Sequence, residues 1–195
     1  MHPELLLLVG ISFSMGFTPG PNNAVAAYSG FNFGIKKTIP LILGVGVGYT
    51  ILVILVNFVL ISTFKSYPII QEIIRILGTF FLLYLAYKIS FSVNLSNSKN
   101  INPVKFFDTF LFQFINPKGI MAAITLISKF VMDDNYLNSS ITVIIVCSFT
   151  AFLSITSWTF FGKFLRKFAT NDSFIKNFNY AMSMLIVVCI IGFYI

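Results

Sequence analysis

Apolar residues run almost unbroken along this chain, and its polar positions gather in clusters between the runs. Six stretches are long enough for the roughly 20 residues that a membrane-crossing helix needs. They cover approximately 5–28, 39–64, 68–90, 106–130, 137–162 and 175–195. The segment "SVNLSNSKNINP" (92–103) is polar and reads as a linker. Nothing is left over for a separate soluble domain. The pattern predicts an all-α integral membrane protein with six transmembrane helices in one domain.

The first and fourth runs carry residues that helices avoid. "GFTPGP" (16–21) and "FINPKG" (114–119) align on Pro19 and Pro117, with Thr18 opposite Asn116, and each lies near the middle of the first helix of its half. Proline lacks an N–H and clashes with the carbonyl four residues earlier. Pro19 and Pro21 are therefore expected to free the carbonyls of Met15 and Phe17, and Pro117 that of Gln113. Gly20 and Gly119 are expected to permit sharp turns. With three helices per half, the second half enters the membrane upside down, as in the inverted repeats of many secondary transporters. The repeats are about 1–92 and 104–195, with helices 1 and 4 broken at midplane.

Irregular backbone survives in lipid only when buried in protein or lining a wet cavity. A half-helix starting after each break aims free N–H groups and a partial positive charge at the midplane. Two such ends suit a carboxylate. Lys118 is the charged residue deepest in a span, and an intramembrane cation marks a functional site by default. Two readings of it stand: a ligand-binding cation, or a lysine that ties down helix-end carbonyls. Thr18, Asn22, Asn23, Gln113 and Asn116 add donors and acceptors nearby. For the asparagines, capping after a break and ligand contact are compatible. Freed carbonyls and these side chains together could hold an ammonium group.

Composition agrees with a lipid solvent: 57% of the 195 residues are hydrophobic and 10% charged, and mean hydropathy is +0.90. The net charge is +7, but no block of like charges could grip nucleic acid. Lys36, Lys37, Lys88, Lys99, Lys105, Lys163, Arg166, Lys167 and Lys176 fall on one side of the predicted helices, against Lys65, Arg75 and Lys129 on the other. That bias places the odd-numbered connections in the cytoplasm and both termini outside. The residues before the first run lack the basic region of a cleaved signal, so helix 1 is expected to be retained.

Chemistry is sparse. Cys147 and Cys189 lie in separate apolar runs without ligand spacing and read as packing thiols. His2 stands apart, and no acid pair or C-x-x-C occurs within the spans, so no enzyme, metal site or cofactor is expected. Glu72 is expected to pair with Arg75 one turn on. The lack of a midplane acid favours a neutral, zwitterionic substrate. Gly44 and Gly48 in "LGVGVGY" share a helix face suited to close packing; a sliding surface between halves is the other reading. Trp158 and Tyr49 are candidates for stacking on a ligand.

These residues resemble the LysE/RhtB family of amino-acid exporters. "TPGPNN" followed by "SGFNFGIKKTIPLILGVGVG", "RILGTFFLLYLAYKI" (75–89), "FQFINPKGIM" (112–121) and "FNYAMSMLIVVCIIGFYI" (178–195) carry the likeness across the chain. The resemblance implies export of small amino acids or derivatives through the bacterial cytoplasmic (inner) membrane, coupled to protons. It marks Pro19, Gly20, Pro21, Asn22, Asn116, Pro117 and Lys118 as site elements. Many relatives carry an acid where this chain has Tyr49, a departure that again favours a neutral substrate. The competing readings are an anion channel lined by Lys118 and an exporter of another small zwitterionic or anionic metabolite. Homo-oligomerisation is left open.

Overall fold

In the computed structural model, residues 4–60, 67–90, 103–169 and 171–194 are described. His2, Lys65, Lys99 and the linker, apart from Pro103, lie outside them. The described chain is helical throughout: α1 (Leu5–Phe17), α2 (Pro21–Leu55), α3 (Pro68–Ser90), α4 (Phe106–Phe112), α5 (Pro117–Phe130), α6 (Tyr136–Arg166) and α7 (Asp172–Ile191). A π-turn (Val56–Leu60) extends α2, and 3-10 turns follow α4 and precede α6. Among the described residues, four helices are long and apolar enough to cross a membrane, or five if the bent pair around Asn116 is one span.

The count differs from six because of how α2 is built. A loop was expected between the first two runs, about 28–39, yet helical residues continue through it. Gly34 alone departs, at φ 75° and ψ 172°, a region essentially restricted to glycine. The departure reverses the chain. Ser29 Oγ lies 2.9 Å from Thr38 Oγ1, whereas nine residues of straight helix would advance about 13.5 Å. The chain thus doubles back at one residue, two positions before Lys36.

Helix α2 packs most extensively on α6, with α4 against its second part and α7 against α3. The α2–α6 contact is made at backbone distance. A Cβ at Gly30 would overlap the Thr159 carbonyl, and one at Gly162 would overlap the Ala27 carbonyl. Gly44 and Gly48 seat α4 similarly: a Cβ would strike Phe106 O and Thr109 Oγ1 at the first and Phe110 O, 2.8 Å away, at the second. Their role is the close packing expected of the small-residue face. Two buried apolar clusters result. One centres on Ala24–Phe31 with α3, α6 and α7. The other joins Leu8, Leu52 and Phe130 with Val143 and Cys147.

Large apolar side chains also cover the outside, including Ile73, Phe80 and Tyr87 on α3 and Ile145, Phe149 and Phe160 on α6. Such faces suit hydrocarbon. Polar hydrogen bonds stitch the interior: Asn32 Nδ2 to Asn179 Oδ1 at 3.0 Å, Thr50 Oγ1 to Ser148 Oγ at 2.9 Å and Ser90 Oγ to Ser183 Oγ at 2.6 Å. The expected Glu72–Arg75 ion pair is present.

Gly162→Val is expected to lower Tm in detergent by several degrees, since overpacking of a tight contact costs about 1–3 kcal/mol. Gly10→Val, where a Cβ meets nothing within 4 Å, is expected to leave Tm unchanged. Scanning fluorimetry of the two purified variants checks both outcomes.

Candidate functional site

Both predicted breaks are present, each built by a proline in the position where it costs least. Pro21 is the first residue of α2, after Gly20 in an extended conformation. Pro117 is the first residue of α5, after Asn116. A proline there loses no helical hydrogen bond and has its φ preset. Pro21, rather than Pro19, is therefore the structural counterpart of Pro117. The axes on either side of Asn116 are bent by 60°.

Several carbonyls at the end of α1 are taken up. Ser14 O accepts from Thr18 N at 3.2 Å, and Met15 O from Thr18 Oγ1 at 2.9 Å. Gly16 O accepts from Asn23 Nδ2 and from Ser154 Oγ, each at 2.8 Å. Thr18 O accepts from Asn23 Nδ2 at 2.9 Å. Gln113 O accepts from Asn116 N at 3.4 Å. The carbonyls of Met15 and Gln113, expected to be free, are thus occupied, and further acceptors lie beyond the helix end at Thr18 and Pro19.

Lys118 fills that place. Its Nζ donates to Thr18 O and Thr18 Oγ1, both at 2.9 Å, and to Pro19 O at 3.2 Å. Gly20 makes room, since a Cβ there would stand 2.7 Å from Nζ. A cation at a helix C-terminus also meets the negative end of the helix dipole. The geometry is that of the lysine tying down helix-end carbonyls, and it joins residues 100 positions apart. A second tie runs between the same elements. Asn22 Nδ2 donates to Gln113 Oε1 at 2.8 Å and Gln113 Nε2 to Asn22 Oδ1 at 3.2 Å. Gln113, fully buried, also donates to Thr109 O at 2.7 Å.

A cavity of ≈ 80 Å³ lies between the breaks, where the two apolar clusters meet. Of the predicted residues, Gly20, Pro21, Asn22, Asn23, Asn116 and Lys118 line it. Gln113 stands behind Asn22. Thr18 and Pro117 line a second cavity of ≈ 810 Å³, bounded by α1, α3, α5 and the chain after α7, with Glu72 and Arg75 on its wall. Met15, Lys118 and Ala122 border both cavities. Gly119 needs no special backbone: a Cβ there would meet Asn116 Nδ2 at an ordinary 3.4 Å. Tyr49 lines the small cavity, whereas Trp158 packs edge-on against Phe161 at 5.7 Å.

Four polar or thiol residues on this wall lay outside the predicted site: Ser12, Cys147, Thr150 and Ser154. Their signal is a spacing. Cys147, Thr150, Ala151 and Ser154 fall at i, i+3, i+4 and i+7, a stripe of small side chains in an otherwise apolar run. Cys189, expected only to pack, is half-buried and approaches Pro19 O at 3.8 Å.

Apolar spanning helices, a pair of helix breaks and a small cavity between them, lined by apolar and a few polar side chains, fit a membrane translocator of small solutes. The LysE type translocator family matches residues 13–195, and the chain belongs to that family. It is 27% identical over 173 residues to the cysteine/O-acetylserine efflux protein of Salmonella typhimurium, covering 88% of each chain. The protein of that name in Salmonella choleraesuis matches equally, and that of Escherichia coli K12 is 24% identical over the same coverage. No solved structure matches it. Family membership agrees with the expectation of a transporter rather than an enzyme.

A double-mutant cycle on Asn22→Ala and Gln113→Leu is expected to show coupling of about 1 kcal/mol, as for hydrogen bonds between membrane helices. Chemical denaturation in detergent measures it; additive effects would mean that the amide pair contributes nothing.

Proposed function

We propose that this protein exports small neutral amino acids or their derivatives from the bacterial cytoplasm across the inner membrane. The observation that carries the reading is the small cavity bounded by both helix breaks, with no acidic residue among the described residues of its wall. A pocket of this size, against roughly 300–1,000 Å³ for drug-sized ligands, suits a molecule of a few heavy atoms. Its polar wall includes the starts of α2 and α5, whose first-turn N–H groups attract a carboxylate. The substrate named for the relatives, cysteine or O-acetylserine, has the size and zwitterionic charge that this wall suits.

In the same reading, six spans form two inverted three-helix repeats, about 1–92 and 104–195. Gly34 divides α2 into the end of the first span and the whole of the second, and α1 with the start of α2 is the broken partner of α4–α5. Pro21 and Pro117 in equivalent positions support this. Transport proceeds by alternating access and is coupled to protons. The basic connections face the cytoplasm, and the termini face outward. The predicted residues Thr18, Pro19, Gly20, Pro21, Asn22, Asn23, Gln113, Asn116, Pro117 and Lys118 serve as the site and its frame. A Lys118-lined anion pore fits less well, because Nζ is already held by three oxygens.

Bacterial cells expressing the protein and loaded with dipeptides are expected to release one or a few neutral amino acids faster than vector controls. Lys118→Met is expected to abolish the release while the protein remains in the membrane. Release at the vector rate by the wild-type protein, with insertion confirmed, would sink the proposal. Undiminished release by the variant would remove Lys118 from the machinery.

A further inference from the structure

Three buried polar side-chain atoms lack a hydrogen-bond partner among the described residues: Asn57 Oδ1, Asn116 Oδ1 and Thr150 Oγ1. The last two belong to residues that line the small cavity, and each residue is only 2% exposed. Both break the habit of their neighbours. On α6, Thr142, Ser148 and Thr159 each donate to the carbonyl four residues earlier, at 2.7–2.8 Å. Thr150, on the same helix, does not. Asn171 caps α7 by accepting from Phe174 N at 2.8 Å, whereas Asn116 precedes α5 without capping it. A buried orphan oxygen costs stability, so two at one cavity ask for an occupant that donates hydrogen bonds.

A carboxamide oxygen only accepts, and a hydroxyl oxygen readily does. Their complement is a group rich in N–H. Among the described residues the cavity wall carries one cation, Lys118, and no acid, so a cationic group must bring its own counter-charge. An α-ammonium group does. It shares a carbon with the carboxylate, so the two must bind side by side. Asn116 stands one residue before the first turn of α5, whose N–H groups suit the carboxylate.

We propose that Asn116 Oδ1 and Thr150 Oγ1 receive the α-ammonium group of the transported amino acid, a subsite that rests on the export function proposed above. Thr150 is thereby a specificity-determining residue, selecting amino acids over acids of the same shape.

The test uses purified protein in proteoliposomes, with L-cysteine under reductant as the transported probe. The competitor is 3-mercaptopropionate, which is cysteine without its amino group. Thr150→Val removes the hydroxyl at constant shape. It is expected to raise KM for cysteine about tenfold, the loss of one hydrogen bond to a charged group, with the maximal rate kept. Tm should stay level or rise, because an orphan is removed. Thr150→Ser should keep the wild-type KM, and inhibition by 3-mercaptopropionate should not change in either variant. An unchanged KM in Thr150→Val, meaning that the oxygens hold water only, would overturn the subsite. Equal weakening of cysteine and 3-mercaptopropionate would overturn it as well. Wild-type vesicles no faster than empty ones would overturn the export function and the subsite together.

Discussion

A backbone carbonyl in hydrocarbon has no water to turn to, and everything distinctive about this protein follows from how that demand is met at the end of α1. Helix α1 stops at Phe17, and the chain cannot leave its last acceptors bare. The partners come from elsewhere in the sequence. Asn23 and Ser154 cover Gly16, and Lys118 covers Thr18 and Pro19. One helix end is thus completed by the start of another helix about a hundred residues later. The two halves of the chain depend on each other for their polar groups as well as for their apolar packing.

This sharing shapes the cavity. The ends that could have satisfied one another locally are held apart by Pro21 and Pro117, and the gap between them is bordered by small side chains such as Gly16, Gly20, Gly119 and Ala122. Charge is nearly absent from its wall. The one cation there, Lys118, is held by three uncharged oxygens, and no carboxylate lines the wall among the described residues. Shape and charge there agree with the guest proposed above, an amino acid that brings both of its own charges.

Local chemistry was legible in the sequence; tertiary reach was not. The breaks at "TPGPNN" and "INPKG" follow from proline and glycine alone, and Asn22, Asn116 and Lys118 gather as their position suggested. The sequence echo sets Pro19 opposite Pro117, whereas the proline that, like Pro117, stands first in a helix is Pro21. A loop near residues 28–39 was inferred from polar side chains, but one glycine sufficed to reverse the chain, and Ser29 and Thr38 satisfy each other across the bend. The sequence does not reveal that the Thr150 hydroxyl is unpaired, because a threonine in an apolar helix ordinarily turns back on its own carbonyls. Only the three-dimensional surroundings show that it does not.

The backbone-to-backbone seat of Gly30 against Thr159, and of Gly162 against Ala27, bears on how such a protein moves. No side chains cushion that contact, so sliding there would force main chains through one another. It is stiff in shear and forgiving only of rotation, which are the properties of a fulcrum. In the alternating-access cycle proposed above, displacement would grow with distance from that contact. Lys118, which ties Thr18 and Pro19 to the start of α5, would then be a clasp that the proposed cycle has to open.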